Sequence, residues 1–163
     1  MAKNKEEKTN VMRVLEQKKI AYTAHTYPHE EGVAVDGVTV AKSMGFDPAI
    51  VFKTLVARGA SKQYYVFDVP VAENLDLKKA AKAVGEKSIE MIHQKELLPL
   101  TGYVHGGCSP VGMKKLFPTV FHSSAEKLAA MIVSAGKIGY QVELAPHDLA
   151  ALVRAKFADI IVE

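Results

Sequence analysis

The stretch "IVFKTLVARGASKQYYVFDVPV", residues 50–71, decides the architecture. Two runs rich in β-branched and aromatic residues, "IVFKTLVAR" (50–58) and "QYYVFDVPV" (63–71), flank the short loop "GASK". That pattern predicts a β-hairpin. Its first strand carries Lys53 in otherwise apolar company. Successive side chains on a strand point to opposite faces, so Val51, Lys53 and Leu55 share one. Two readings follow. The lysine stem lies along apolar surface with its head in water, or the ammonium sits at a pocket floor and orients a phosphate, a carboxylate or a polarised carbonyl.

Outward from the hairpin, residues 5–19 place Val11, Val14, Leu15 and Lys18 at helical spacing. "IAYTAHTY" (20–27) alternates as a strand and is closed by Pro28, with Tyr27 at its end offering a hydroxyl to the same pocket or a half-buried ring. "TVAKSMGF" (39–46) reads as a short helix stopped by Gly45. "LDLKKAAKAVG" (75–85) is a clear helix, capped by Asn74 or Asp76 and ended by Gly85. "SIEMI" (88–92) predicts a strand and "QKELLPL" (94–100) a helical turn. "TVFHS" (119–123), "AAMIVSAG" (129–136) and "GYQVELA" (139–145) predict strands, "PHDLAALVRA" (146–155) a helix opening on Pro146, and "FADIIVE" (157–163) a last strand. Strands outnumber helices, which indicates an α+β fold, one domain over residues 1–163 with a mixed, strongly curved sheet flanked by helices.

A second stretch, "TGYVHGGCSPVGMKK" (101–115), crowds Gly102, Gly106, Gly107 and Gly112 around a lone cysteine. Ser109 precedes Pro110 and is pushed toward extended geometry, so the segment is a shaped loop. Such a loop either connects two elements tightly or aims backbone N–H groups at an anionic or carbonyl oxygen. Cys108, three residues after His105, is a nucleophile only if its thiol is made acidic, and a small buried thiol otherwise.

The totals bound the partners. The 163 residues are 48% apolar and 24% charged, enough for one ordinary core. No apolar run approaches the ~20 residues that span a bilayer. The opening "MAKNKEEKTN" lacks a signal-peptide core, and a single cysteine suits a reducing compartment, so a cytoplasmic location and no membrane partner are expected. Net charge is only +3, but lysines and arginine crowd the first twenty residues (Lys3, Lys5, Lys8, Arg13, Lys18, Lys19). Lys78, Lys79, Lys82 and Lys87 form a second cluster, and Lys114 and Lys115 flank the glycine loop. These are solvated faces unless they converge on a phosphate-bearing partner. Six scattered histidines and one cysteine give no zinc-ligand spacing, so no metal is expected. No phosphate-loop, dinucleotide or nucleophile-elbow motif is present. No cofactor is expected.

Taken in order, "HTYPH" (25–29), "FKTLV" (52–56), "LDLKKAAKAVG" (75–85), the glycine loop, "VSAGKIG" (133–139) and "VELAPHDLA" (142–150) resemble the YbaK family of Cys-tRNA(Pro) deacylases. These are free-standing relatives of the editing domain of prolyl-tRNA synthetases. The resemblance spans about residues 11–160 and implies a barrel-like α+β editing domain. It also implies trans-editing removal of cysteine from Cys-tRNA(Pro), with Cys-tRNA(Cys) a further substrate and prolyl-tRNA synthetase a docking partner. By the same resemblance Lys53 and Gly106 are the catalytic pair. Tyr27, Thr54, Gly107, Ser109, Ser134 and Gly136 bind the aminoacylated tRNA 3′ end. The family's proposed chemistry is substrate-assisted: the cysteinyl thiol attacks its own ester carbonyl. Two positions depart from the pattern. Ile138 stands where relatives often carry arginine, and Gln141 where some carry an acid. The alternatives are an Ala-tRNA(Pro) deacylase of the same superfamily, a non-catalytic module for the tRNA 3′ end or a nucleotide, and a regulatory protein-binding domain.

Overall fold

Thr9 begins the described part of the chain's regular structure by accepting a hydrogen bond from the Met12 amide at 3.3 Å, which caps α1 (Asn10–Gln17). The computed structural model describes residues 8–163. The helix expected from residue 5 therefore starts at Asn10, and Lys3 and Lys5 of the basic cluster lie outside the described residues. Val11, Met12 and Leu15 turn one face of α1 inward. The chain continues through β1 (Thr23–Thr26) to α2 (Gly37–Ser43), capped by the Asp36 carboxylate on the Thr39 amide. A short 3-10 turn at Pro48–Ile50 then feeds the hairpin, β2 (Phe52–Gly59) and β3 (Tyr64–Pro70). Lys62 adopts a φ of 76° in its loop.

Asp76 accepts from the Lys78 and Lys79 amides and starts α3 (Leu77–Val84), which Gly85 ends at a φ of 75°. Then come β4 (Ile89–Met91) and α4 (Gln94–Thr101). The helical turn expected at 94–100 becomes a full helix that runs through Pro99 and closes at Gly102. The glycine loop leads to β5 (Thr119–His122), β6 (Met131–Ser134), β7 (Tyr140–Leu144), α5 (Pro146–Val153) and β8 (Lys156–Ala158). The last strand falls earlier than "FADIIVE". Asp159 turns back to Lys79 at 3.0 Å, and only Ile161 pairs again, opposite Leu75. No helix among the described residues is long and apolar enough to cross a membrane.

The strands form two sheets, β4-β2-β3-β5-β8 and β1-β7-β6. The larger is mixed: β3–β5 and β5–β8 are parallel, the other pairs antiparallel. Among the described residues a single bridge, Val51 to Ile132, joins the two sheets. The main core lies between them, with Phe52, Val56, Val66 and Phe121 on one side and Met131, Val133 and Val142 on the other. The opposite face of the larger sheet, including Ala57, Phe67 and Val120, is sealed by Ala80 and Ala81 of α3.

The expected mix of helices and sheets is present, but the sheets do not close into a barrel. The reason lies in β2. One edge pairs with β3 along its length. The other edge meets Ile132 at Val51 and β4 from Ala57 onward, so no strand among the described residues pairs with 53–55 there. Peptide groups point alternately to the two edges of a strand. The Val56 carbonyl bonds the Ile92 amide on the β4 side, so the Thr54 N–H and C=O face that same open edge.

Candidate functional site

A cavity of about 500 Å³ opens at this gap. Residues 53–55 of β2 form one wall, the start of α2 with Asp36 and Gly37 another, and the glycine loop with His105, Gly106 and Cys108 a third. Tyr27, Ser134 and Gln141 come from the smaller sheet and its approach. The cavity thus collects residues far apart in sequence because the strand that would have filled the gap is missing. Lys53 and Thr54 alternate in direction along β2, yet both reach the cavity because it lies against the strand's edge.

Lys53 is half-buried and makes no ion pair within 4 Å among the described residues. Burial pushes its ammonium down from the ordinary lysine range, while the more distant Asp36 and Glu73 carboxylates pull it back. It is a partly desolvated cation, suited to an anionic or polarised oxygen. The loop opposite is shaped by contact. A Cβ on Gly106 would sit 2.7 Å from that of Ala34, and Gly106 has a φ of 89°. Only glycine fits there without strain. The Gly107 amide is spent on the Val104 carbonyl at 2.9 Å, whereas the Gly106 amide has no partner among the described residues.

Tyr27 is buried, and desolvation pushes its phenol up. Its amide bonds the Gly139 carbonyl at 3.0 Å, which fixes the ring at the cavity. Ser134 Oγ accepts from the Gly136 amide at 3.1 Å, and Ser134 lines the cavity. The structure brings together Lys53, Gly106, Tyr27, Thr54 and Ser134 of the expected set. It places the remaining three outside the wall. Gly107 packs against the Lys137–Ile138 backbone, and Ser109 is fully buried with its Oγ bonded to the Val111 amide. Gly136, at a φ of 92°, lies against Tyr103 and Val11. These three shape the loops that carry the others.

Cys108 lines the cavity but is chemically quiet. Burial first, and the neighbouring Asp68 second, push its thiol up to about 12. A nucleophilic cysteine needs the opposite shift. Two further polar atoms stand out, one on Gln141, which the sequence marks as a departure from the family pattern, and one on Asp68, which it does not single out. Gln141 Oε1, in the cavity wall, and Asp68 Oδ2, beneath Thr54, are buried and unpartnered. Both signals were available as polar residues inside the apolar runs "GYQVELA" and "QYYVFDVPV". As for metals, His25 pairs with Glu143 at 2.7 Å and His29 bonds the Tyr27 carbonyl, and no metal-ligating cluster occurs among the described residues.

The sequence and the fold that place this cavity are similar to those of known proteins. The aminoacyl-tRNA editing domain matches residues 32–152. A relative from Enterococcus faecalis, named as the Cys-tRNA(Pro)/Cys-tRNA(Cys) deacylase EbsC, is 46% identical over 161 residues, covering 98% of each chain. The chain belongs to the aminoacyl-tRNA editing domain family. Among solved structures, one described as a trans-editing enzyme for prolyl-tRNA synthetase superposes with a TM-score of 0.79 at 24% identity, over 94% of this chain and 95% of that one. A hypothetical protein superposes at 0.82 with 18% identity, over 93% and 99%. At such identities the likeness establishes the fold.

Proposed function

We propose that this protein is a trans-editing deacylase that removes cysteine from Cys-tRNA(Pro), and from Cys-tRNA(Cys), in the cytoplasm where charged tRNA is used. One observation carries the reading: Lys53 and Gly106, whose amide has no partner among the described residues, line one cavity that offers no acidic thiol and no histidine-paired nucleophile among those residues. An aminoacyl ester is already activated, so such a site has only to stabilise charge on its carbonyl oxygen. One well-placed backbone donor contributes ~3 kcal/mol to that. Lys53 holds the terminal phosphate or ribose, or polarises the ester, and forms no covalent bond. The substrate thiol is the nucleophile. Tyr27, Thr54 and Ser134 position the aminoacyl-adenosine, and Gln141 Oε1 accepts from its ammonium group. Gly107, Ser109 and Gly136 act through the backbone they shape.

The tRNA body crosses the basic surface beside the glycine loop. Lys114 and Lys115 are exposed there, and Lys78, Lys82 and Lys87 form a second exposed basic track on and beyond α3. Lys79 is held by Asp159, Glu163 and the Ile161 carbonyl and is not part of that track. So small a surface selects poorly among tRNAs, and docking on prolyl-tRNA synthetase supplies the selection. The test is a deacylation panel of Cys-tRNA(Pro), Cys-tRNA(Cys), Ala-tRNA(Pro) and Pro-tRNA(Pro), with the released product identified. Cysteinyl esters are cleaved fastest, by at least about 10-fold over alanyl, because only they carry the thiol. Cleavage of Ala-tRNA(Pro) at an equal rate removes the thiol from the mechanism. Salt-sensitive binding without turnover of any ester makes the protein a tRNA-end binding module.

A further inference from the structure

Asp68 lies at the centre of β3, 0% exposed, and nothing in the scheme above uses it. Its partner across the hairpin is Thr54. They form a pair whose peptides do not bond each other, the arrangement in which facing side chains come closest. Thr54 Oγ1 donates to Asp68 Oδ1 at 2.5 Å, and Asp68 Oδ2 has no partner. Thr54 also lines the cavity, next to Lys53. A threonine hydroxyl thus stands between the cavity and a carboxylate with spare acceptor capacity.

A dry, half-satisfied carboxylate destabilises the fold. Its surroundings do little to relieve it. β2 presents Thr54 and turns Lys53 to the other face, and β5 presents Phe121 in register. The glycine loop presents Cys108, a thiol that stays protonated at neutral pH. α1 and the smaller sheet contribute apolar Val11, Leu15 and Val142 to this core, and the nearby Gln141 and Ser134 are uncharged. Asp68 makes no ion pair among the described residues. Such an exception to the satisfaction of buried polar groups calls for a role.

We propose that Asp68, acting through Thr54, takes up the proton released when the substrate thiol attacks its ester; this rests on the deacylase reading above. The thiol hydrogen passes to Thr54 Oγ1 as the threonine hydrogen passes to Asp68 Oδ1. The sulfur forms a bond to the carbonyl carbon, and the ester C–O bond to the ribose breaks. The ribose oxygen leaves with the proton returned through Thr54. The carboxylate is regenerated, and the products are the cyclised thioester and tRNA with a free hydroxyl. No oxidant or outside acid is consumed. Thr54 touches the substrate; Asp68 is a positioning residue that orients the threonine hydroxyl and holds its proton. Burial, opposed by the Thr54 hydrogen bond, pushes the Asp68 carboxyl up to about 7. A base working at neutral pH is most effective in that range.

The experiment combines a titration with a rate profile. In protein carrying ¹³C-labelled aspartate, the Asp68 carboxyl signal is identified by its loss in Asp68→Asn. It titrates near neutrality in the wild type and at higher pH in Thr54→Val, where the stabilising hydroxyl is gone. Single-turnover cleavage of Cys-tRNA(Pro) is then followed from acidic to mildly alkaline pH. The wild type and Thr54→Ser show an inflection matching the titration. Asp68→Asn and Thr54→Val lose the inflection and fall about 10²-fold at the plateau. A carboxyl that titrates in the ordinary aspartate range overturns the proposal. So does an Asp68→Asn enzyme that keeps both rate and inflection, and that result leaves the deacylase reading standing. A wild-type protein that cleaves no ester removes both.

Discussion

The two faces of the larger sheet are built on opposite terms. Under α3, Ala57, Phe67, Val69 and Val120 meet Ala80 and Ala81 with no buried polar side chain among them. On the inner face the same two hairpin strands carry Thr54 and Asp68, Lys53 reaches the cavity from the opposite face around the open strand edge, and the cavity wall also carries the unpartnered Gln141 Oε1. One face is saturated; the other stores unmet hydrogen-bonding capacity. The difference separates the part of the hairpin that holds the fold from the part that works, although both derive from one 22-residue stretch of sequence.

Breaking the sealed face has the largest expected effect. Phe67→Ala removes a ring that is 0% exposed and costs roughly 3–5 kcal/mol, measured by urea unfolding, while the folded fraction keeps its turnover. An unchanged midpoint means that this face is not what holds the hairpin. At the cavity Lys53→Ala lowers kcat/KM for Cys-tRNA(Pro) about 10³-fold, ~4 kcal/mol, with the unfolding midpoint nearly unmoved. Cleavage at the wild-type rate removes Lys53 from the site.

Asp68→Asn sharpens the contrast by linking stability to pH. The carboxyl is raised from 3.8 to about 7 on folding, so between those values the native state holds a proton that the unfolded chain has released. Wild-type stability therefore falls as pH rises through that window, and the loss is complete above about 7. Asparagine does not titrate. The variant matches the wild type below about pH 4 and exceeds it at pH 8 by roughly 2 kcal/mol. The full shift, at ~1.36 kcal/mol per unit, would give about twice that, and water drawn to the ionised group takes up the rest. Equal midpoints at pH 8 show that the buried carboxylate carries no penalty. The smallest effect is expected at Cys108→Ala, which changes turnover by less than about threefold; a fall near 10³-fold shows that the protein thiol takes part.

Much of this contrast was legible in the sequence. The hairpin is visible because β-branched and aromatic runs flank a short glycine loop, and Lys53 because a charge interrupts an apolar run. Asp68 interrupts the partner run in the same way. Its meaning depends on register, since only the Thr54–Asp68 pairing connects it to the cavity. The split into two sheets was not legible, because it arises from an unpaired strand edge, and absences leave no periodicity. Gly107, Ser109 and Gly136 illustrate another limit. Neighbours in a motif turn to different sides of a loop, and composition does not say which side holds the ligand. The misplaced last strand has its own cause: Asp159 is drawn out to Lys79, which ends pairing in the middle of an apolar run.

The opening in the β2 edge has a consequence for how this pocket can change. The Thr54 peptide presents a donor and an acceptor to it, and any residue but proline at position 54 would do the same. Replacing side chains around the opening can retune which acyl group is admitted, but cannot erase that main-chain anchor. The scaffold can drift from one aminoacyl ester to another while its grip on the common backbone of the ligand stays fixed.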